Sequence, residues 1–204
     1  MHEGLPDDGL VIVAKRDCPT CVLIEPVMQS LDRAGPLAVI SQDDPVFPSG
    51  VGRVIDDHDL QRSFRLGIET VPTLIRLKGG REVERTVGWD RAEWTRVAGT
   101  AAAGDGLPAW QPGCGSKSVE PGVHETLVAR YGDPGLGSRE IAVGEWDDPI
   151  EACFERGWSD GLPVVPPTTD RILRMLGGTE RKPDEIVGLI PPNLAPCTVE
   201  KVAI

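Results

Sequence analysis

The sequence predicts an α/β fold, a central mixed sheet with flanking helices, followed by a Gly/Pro-rich arm and a partial C-terminal unit. Three observations carry this. Residues 10–14 are an apolar run of strand length, and Cys18, Pro19, Thr20 and Cys21 follow directly, ahead of a stripe of Ile24, Val27, Met28 and Leu31 at helical spacing. Residues 73–77 and 82–87 flank Gly79 and Gly80, the pattern of an antiparallel pair. Thirteen of the 45 residues 101–145 are Gly or Pro, too dense for regular elements. The expected division is therefore 1–100, a linker 101–145, and a partial α-rich unit 146–204.

Taken in order, residues 1–9 form a polar lead-in and 10–14 a buried strand. Cys18 stands just before the first helical turn and Cys21 within it. Backbone N–H groups without helical partners, together with the positive end of the helix dipole, lower the pKa of a thiol placed there. Pro19 suits the first helical position, where its missing N–H has no partner to lose. The chemistry this predicts is thiol–disulfide exchange, with Cys18, the more exposed and more acidic thiol, attacking and the buried Cys21 resolving. Residues 36–40 read as a second strand parallel to the first, and 43–56 as a loop carrying Pro45, Pro48 and Gly50. Asp57 is placed to cap a short helix in which Leu60 and Phe64 share a face and which Gly67 ends. After the hairpin, Asp90 and Glu93 start a last helix as a capping box, with Trp94 and Val97 facing inward.

These features resemble the thioredoxin family over most of residues 10–99. Pro26 falls eight residues after Cys18, where that family carries a helix-kinking proline. Residues 66–75, with Val71, Pro72 and Thr73 at the centre, resemble its cis-proline segment, and residues 78–82 its hairpin turn, with Gly88 following the second hairpin strand. The resemblance implies a trimmed thioredoxin-like fold, since the usual first strand and helix are largely absent. It implies a protein-disulfide oxidoreductase with catalytic Cys18 and Cys21, a cis Pro72 against that pair, and Val71 and Thr73 presenting backbone to an extended substrate. Two positions depart from the family pattern. Ile12 stands where the family has a buried acid, removing a proton acceptor for the resolving thiol. Asp17 stands where it has a tryptophan, and its charge opposes a Cys18 thiolate.

Within the arm, Gly113 and Gly115 flank Cys114, exposing its thiol and the local N–H groups. The functional readings are a third redox thiol or an anion-binding loop; the competing reading is a flexible loop that contains a bystander cysteine. Lys117 and Ser118 invite a phosphate-binding-loop reading, against which Gln111 and Ser116 replace the glycines it needs and no strand precedes it. The roughly 15 residues before Cys114 span up to ~50 Å when extended, enough to fold back over the Cys18 edge and make the linker an internal relay. Residues 112–118 also resemble Gly-Ser motifs with a reactive cysteine or selenocysteine in uncharacterised proteins. Residues 123–130 read as a short helix with a surface His124. In the last part, residues 148–156 read as a helix with Cys153 on its apolar side. Residues 161–167 read as extended, and Thr168 or Thr169 caps a helix through Leu176. Residues 160–168 resemble the opening of an uncharacterised bacterial domain. The chain stops on an apolar, half-built helix from Thr198 and reads as part of something longer.

Composition bounds the function. Hydrophobic residues make up 40% of the 204, enough for a core, and the net charge of −11 argues against nucleic acid and anionic membranes. No run approaches the ~18 apolar residues of a membrane span. The start lacks the basic and apolar regions of a secretory signal, which favours the cytoplasm, where a CxxC pair is redox-active rather than structural. The expected partners are a protein or small-molecule disulfide and an unidentified thiol reductant, with no cofactor. Two other classes are set against this: a non-catalytic binding or targeting module that kept the fold, and a metal site joining Cys18 and Cys21 to Cys114, Cys153, Cys197 or His124.

Overall fold

The computed structural model describes residues 4–101, 104–144 and 146–204. Residues 1–3 of the lead-in and Ala102, Ala103 and Glu145 of the arm lie outside them. The chain divides into two compact units, Met1–Leu127 and Val128–Ile204.

The first unit is built on β1 (Gly9–Ala14), a strand too apolar for any position but the sheet centre. Helix α1 (Pro19–Leu23) follows, then α2 (Glu25–Ala34), with Ile24 closing one and opening the other. The sequence predicted one helix here. Pro26, in the first turn of α2, has no N–H to donate back into α1, so the axis breaks while Ile24, Val27, Met28 and Leu31 stay buried. Strand β2 (Leu37–Ser41), buried throughout, pairs parallel with β1. The expected loop 43–56 is shorter than predicted: its last residues form β3 (Val54–Asp56), parallel to β2 at the sheet edge.

Asp57 caps as expected, but over a longer reach. Its carboxylate accepts from the N–H groups of Arg62 and Ser63 and from the Ser63 hydroxyl, so α3 (Gln61–Arg65) begins after a left-handed Leu60. Strand β4 (Thr70–Val71) leads through Pro72 into β5 (Thr73–Lys78), antiparallel to both β1 and β6 (Arg81–Val87). Gly79 and Gly80 both take positive φ at the turn between them, a conformation cheap only for glycine. After β7 (Trp89–Asp90), the Asp90 carboxylate accepts from Ala92 N and Glu93 N and starts α4 (Arg91–Ala98), which packs on β5 and β6. The sheet order is β3-β2-β1-β5-β6. Helix α2 packs on β2, and the core holds both Trp89 and Trp94, ring edge to face at 5.4 Å.

The arm is more ordered than its composition suggests. Strand β8 (Trp110–Gln111) pairs with β7, and β9 (Cys114–Gly115) pairs with β4. Trp89 Nε1 donates to Pro108 O at 2.7 Å, and the Arg91 guanidinium donates to the carbonyls of Gly104 and Leu107. Composition fails as a guide here because backbone groups of β8 and β9 find their partners on β7 and β4, far off in sequence, besides the local turns within the arm. Helix α5 (Val123–Tyr131) follows, with the His124 ring 6.0 Å from that of Phe64.

The second unit holds α6 (Pro149–Glu155) with Cys153 buried, α7 (Thr169–Leu176), a hairpin of β10 (Ile186–Ile190) and β11 (Ala195–Thr198), and α8 (Val199–Ala203). The hairpin adds strand to a unit expected to be α-rich. Helix α8 packs on α7 and β11. Among the described residues, no helix is long and apolar enough to cross a membrane.

Candidate active site around three thiols

The end of β1 fixes the site. Residues Arg16 and Asp17 donate their N–H groups to the two carboxylate oxygens of Asp43, at 2.6 and 3.0 Å, which holds the turn leading into Cys18. Cys18 is the extended residue capping α1, Pro19 occupies the first turn, and Thr20 and Cys21 are buried. The Val71–Pro72 peptide is cis, which the resemblance implied. In its protonated form the Cys18 thiol donates to Val71 O at 3.6 Å. The Thr73 hydroxyl donates back to Thr70 O at 2.6 Å, closing the bend around Pro72. Parallel β1–β2–β3, the antiparallel β5–β6 hairpin, and a cis-proline bend facing the CxxC turn decide the architecture. The first unit has a thioredoxin-like fold.

Among solved structures the chain is similar to a thioredoxin of Malassezia sympodialis, at 23% identity over 50% of this chain and 83% of that one, with a TM-score of 0.33. It is similar also to thioredoxin O2 of Arabidopsis thaliana in its oxidised state, at 20% identity over 48% of this chain and 82% of that one, with a TM-score of 0.32. No protein-family model matches the sequence, and no curated protein matches it.

On this thioredoxin-like frame, Cys18 and Cys21 lie close, without a disulfide. Their protonation is opposite. The Cys21 thiol donating to Cys18 is the main cause of a Cys18 pKa lowered to about 5, against the opposing effect of burial. The Cys114 thiol and the N–H groups of Cys21 and Thr20 add to that lowering. Burial pushes the Cys21 thiol well up, and the neighbouring Cys18 sulfur pushes the same way. Asp17 does not oppose the thiolate as its position suggested. Its exposed carboxylate turns to Lys15 at 3.2 Å and Lys117 at 3.7 Å, so its charge is paired.

The expectation that Cys18 is the exposed thiol is overturned: its exposure, like that of Cys21, is 0%. The arm is the reason. Strand β9 lies along β4, with Val71 opposite Cys114 and Thr70 opposite Gly115, and the Cys114 sulfur stands 2.9 Å from that of Cys18. Thr20 donates to Pro112 O at 2.6 Å. Burial, and then the Cys18 neighbour, raise the Cys114 pKa, so the proton shared across this contact resides on Cys114. Val71 and Thr73, the expected substrate contacts, thus flank a groove that the chain's own strand occupies.

A buried polar set anchors that strand, and sequence reasoning missed all of it except Asp57. Gln42 Nε2 donates to the hydroxyls of Ser63 and Ser116, at 2.8 and 2.7 Å, and Gln42 Oε1 accepts from Lys117 N. The Ser118 hydroxyl donates to Ile68 O, and Ser116 N to Glu69 O. The N–H groups of Ser116, Lys117 and Ser118, in the loop read as a possible anion site, are therefore already engaged. The available signal was Gln42 itself, which with Ser41 ends an otherwise apolar strand on two polar residues. Cys153 and Cys197 lie in the second unit. Among the described residues, no three His, Cys, Asp or Glu side chains are arranged to hold a metal ion.

Proposed function

We propose that the first unit is a thiol–disulfide oxidoreductase using Cys18 and Cys21. The observation that carries this reading is two free cysteines on one helical turn, set against a cis-proline bend, with thiols of opposite acidity. The Cys18 thiolate attacks one sulfur of a disulfide RSSR, expels RS⁻ and forms a mixed disulfide. Cys21 gives its proton to that leaving thiolate and attacks the Cys18 sulfur, which expels the second RS⁻. Two electrons pass from the pair to RSSR, and an external dithiol resets it. The burial that keeps Cys21 protonated at rest lets it act only once a basic thiolate is released beside it. The partners in this reading are a protein or small-molecule disulfide and a thiol reductant, in the reducing cytoplasm.

A second reading, a binding module that kept the fold, is favoured by one observation: the complete burial of Cys18 beneath the arm. Turnover of a disulfide by the full chain separates the two. The oxidoreductase reading expects Cys18→Ser to abolish turnover and Cys21→Ser to leave Cys18 trapped in a disulfide that it cannot resolve. Equal turnover in the wild type and Cys18→Ser would establish the alternative.

A further inference from the structure

We propose that Cys114 is the thiol through which substrate enters, and that the substrate class is low-molecular-weight disulfides, because the arm fills the groove that an extended polypeptide would need. This deepens the oxidoreductase reading and depends on it.

Three observations converge. Polypeptides reach a site of this kind by adding a strand to an exposed edge. Here the edge of β4 at Thr70 and Val71 is taken by β9 of the same chain. The nucleophile, Cys18, has no exposed surface, whereas Cys114, which covers it, is only half-buried. The sulfurs are 2.9 Å apart, so anything bonded to Cys114 is presented to Cys18 without movement of the backbone. Arm and site are also fitted to each other. A side chain at Gly113 would place its Cβ 2.4 Å from Thr70 Cγ2 and 2.7 Å from Val71 O. Lys15 acts on the Cys114 sulfur through its charge and shares Asp17 with Lys117, and Glu120 also acts on Lys15, so charged groups of both signs lie around the Cys114 thiol.

The sequence of steps balances. Cys114 passes its proton to the Cys18 thiolate, attacks one sulfur of RSSR and expels RS⁻, which takes the proton from Cys18 and leaves as RSH. The Cys18 thiolate then attacks the Cys114 sulfur, breaking the bond to the second RS⁻ and forming a Cys18–Cys114 disulfide. Cys21 gives its proton to that RS⁻ and attacks Cys18, leaving a Cys18–Cys21 disulfide and a Cys114 thiolate. RSSR has gained two electrons, the CxxC pair has lost them, and Cys114 ends at its starting oxidation level. An external dithiol reduces the pair and returns the proton to Cys114.

The test uses the full chain with oxidised glutathione and, as the polypeptide probe, insulin. With Cys21→Ser and oxidised glutathione, peptide mapping should find a Cys18–Cys114 bridge with both glutathione halves released. Glutathione held on Cys18 beside a free Cys114 overturns the proposal. Cys114→Ser should lower glutathione-disulfide turnover by about tenfold or more. Wild-type turnover in that variant overturns it, as does equal turnover of insulin and glutathione disulfide by the wild type. Cys18→Ser separates the two levels. Lost turnover there with retained turnover in Cys114→Ser rejects only the entry thiol, whereas retained turnover in Cys18→Ser rejects the oxidoreductase reading itself.

Discussion

Substituting Gly113 by alanine should uncover Cys18. The new methyl would meet the carbonyl oxygen of Val71 at 2.7 Å and the Thr70 methyl at 2.4 Å, both on β4. Thr70 has a side chain that can rotate, but Val71 O is backbone, held by the strand that runs into the Pro72 bend. The strain therefore falls on the docked arm, held near Cys114 by the two-residue pairing with β4, the Thr20 contact to Pro112 and the Gln42 contacts to Ser116 and Lys117. Overpacking of this kind costs about 1–3 kcal/mol. Charged to the docked state alone, it raises the undocked population by about 5–150-fold. Since the wild-type Cys18 has no exposure, its alkylation proceeds through undocking. When undocking is fast relative to labelling, the rate follows that population. Peptide-resolved iodoacetamide labelling at neutral pH reads it directly. Gly115→Ala, where the added Cβ meets nothing within 4 Å, is the matched control and should label like the wild type. A folded Gly113→Ala protein whose Cys18 labels at the wild-type rate would refute the argument that the arm is what covers the nucleophile.

Other outcomes follow from the same geometry. The Cys18 pKa of about 5 lies below its ordinary 9.0, so the unfolded chain binds the extra proton between those values and stability rises with pH across the window. The contribution is complete above 9.0 and lost as pH falls through about 5, and the Tm difference between wild type and Cys18→Ser should widen from pH 5 to pH 9. Gln42→Leu strips Ser116, Ser63 and Lys117 N of a buried partner. It should cost about 1–3 kcal/mol in denaturant melts and speed Cys18 labelling. Asp57→Asn turns an acceptor toward the Ser63 N–H into a donor, and should cost about 1–3 kcal/mol in denaturant melts.

Much of the first unit was legible in the residues. Apolar runs at β1 and β2, the Gly79-Gly80 turn and the Asp90 cap are local signals, and each was enough to place its element. So were the CxxC pair and the Pro72 bend. What could not be read was long-range pairing. Strand β3 is three residues with no apolar alternation, defined only by the neighbour it joins. Strands β8 and β9 are two residues each, in a segment whose glycines and prolines signalled a loop. The burial of Cys18 depends on that pairing, because 96 positions separate the cysteine from the thiol that covers it. The role of the Gln42 amide could not be read for the same reason: its partners come from α3 and from residues 116 and 117 of the arm.

The docked β9 strand also acts as a tethered competitor. A short flexible tether holds a ligand at an effective concentration of about a millimolar. A free peptide making the same contacts with β4 must match that concentration merely to share the groove equally. A polypeptide present at about a micromolar therefore faces a disadvantage of about a thousandfold before any difference in contacts is counted. A disulfide that needs no strand pairing, and reacts where the tether itself carries sulfur, escapes the competition altogether.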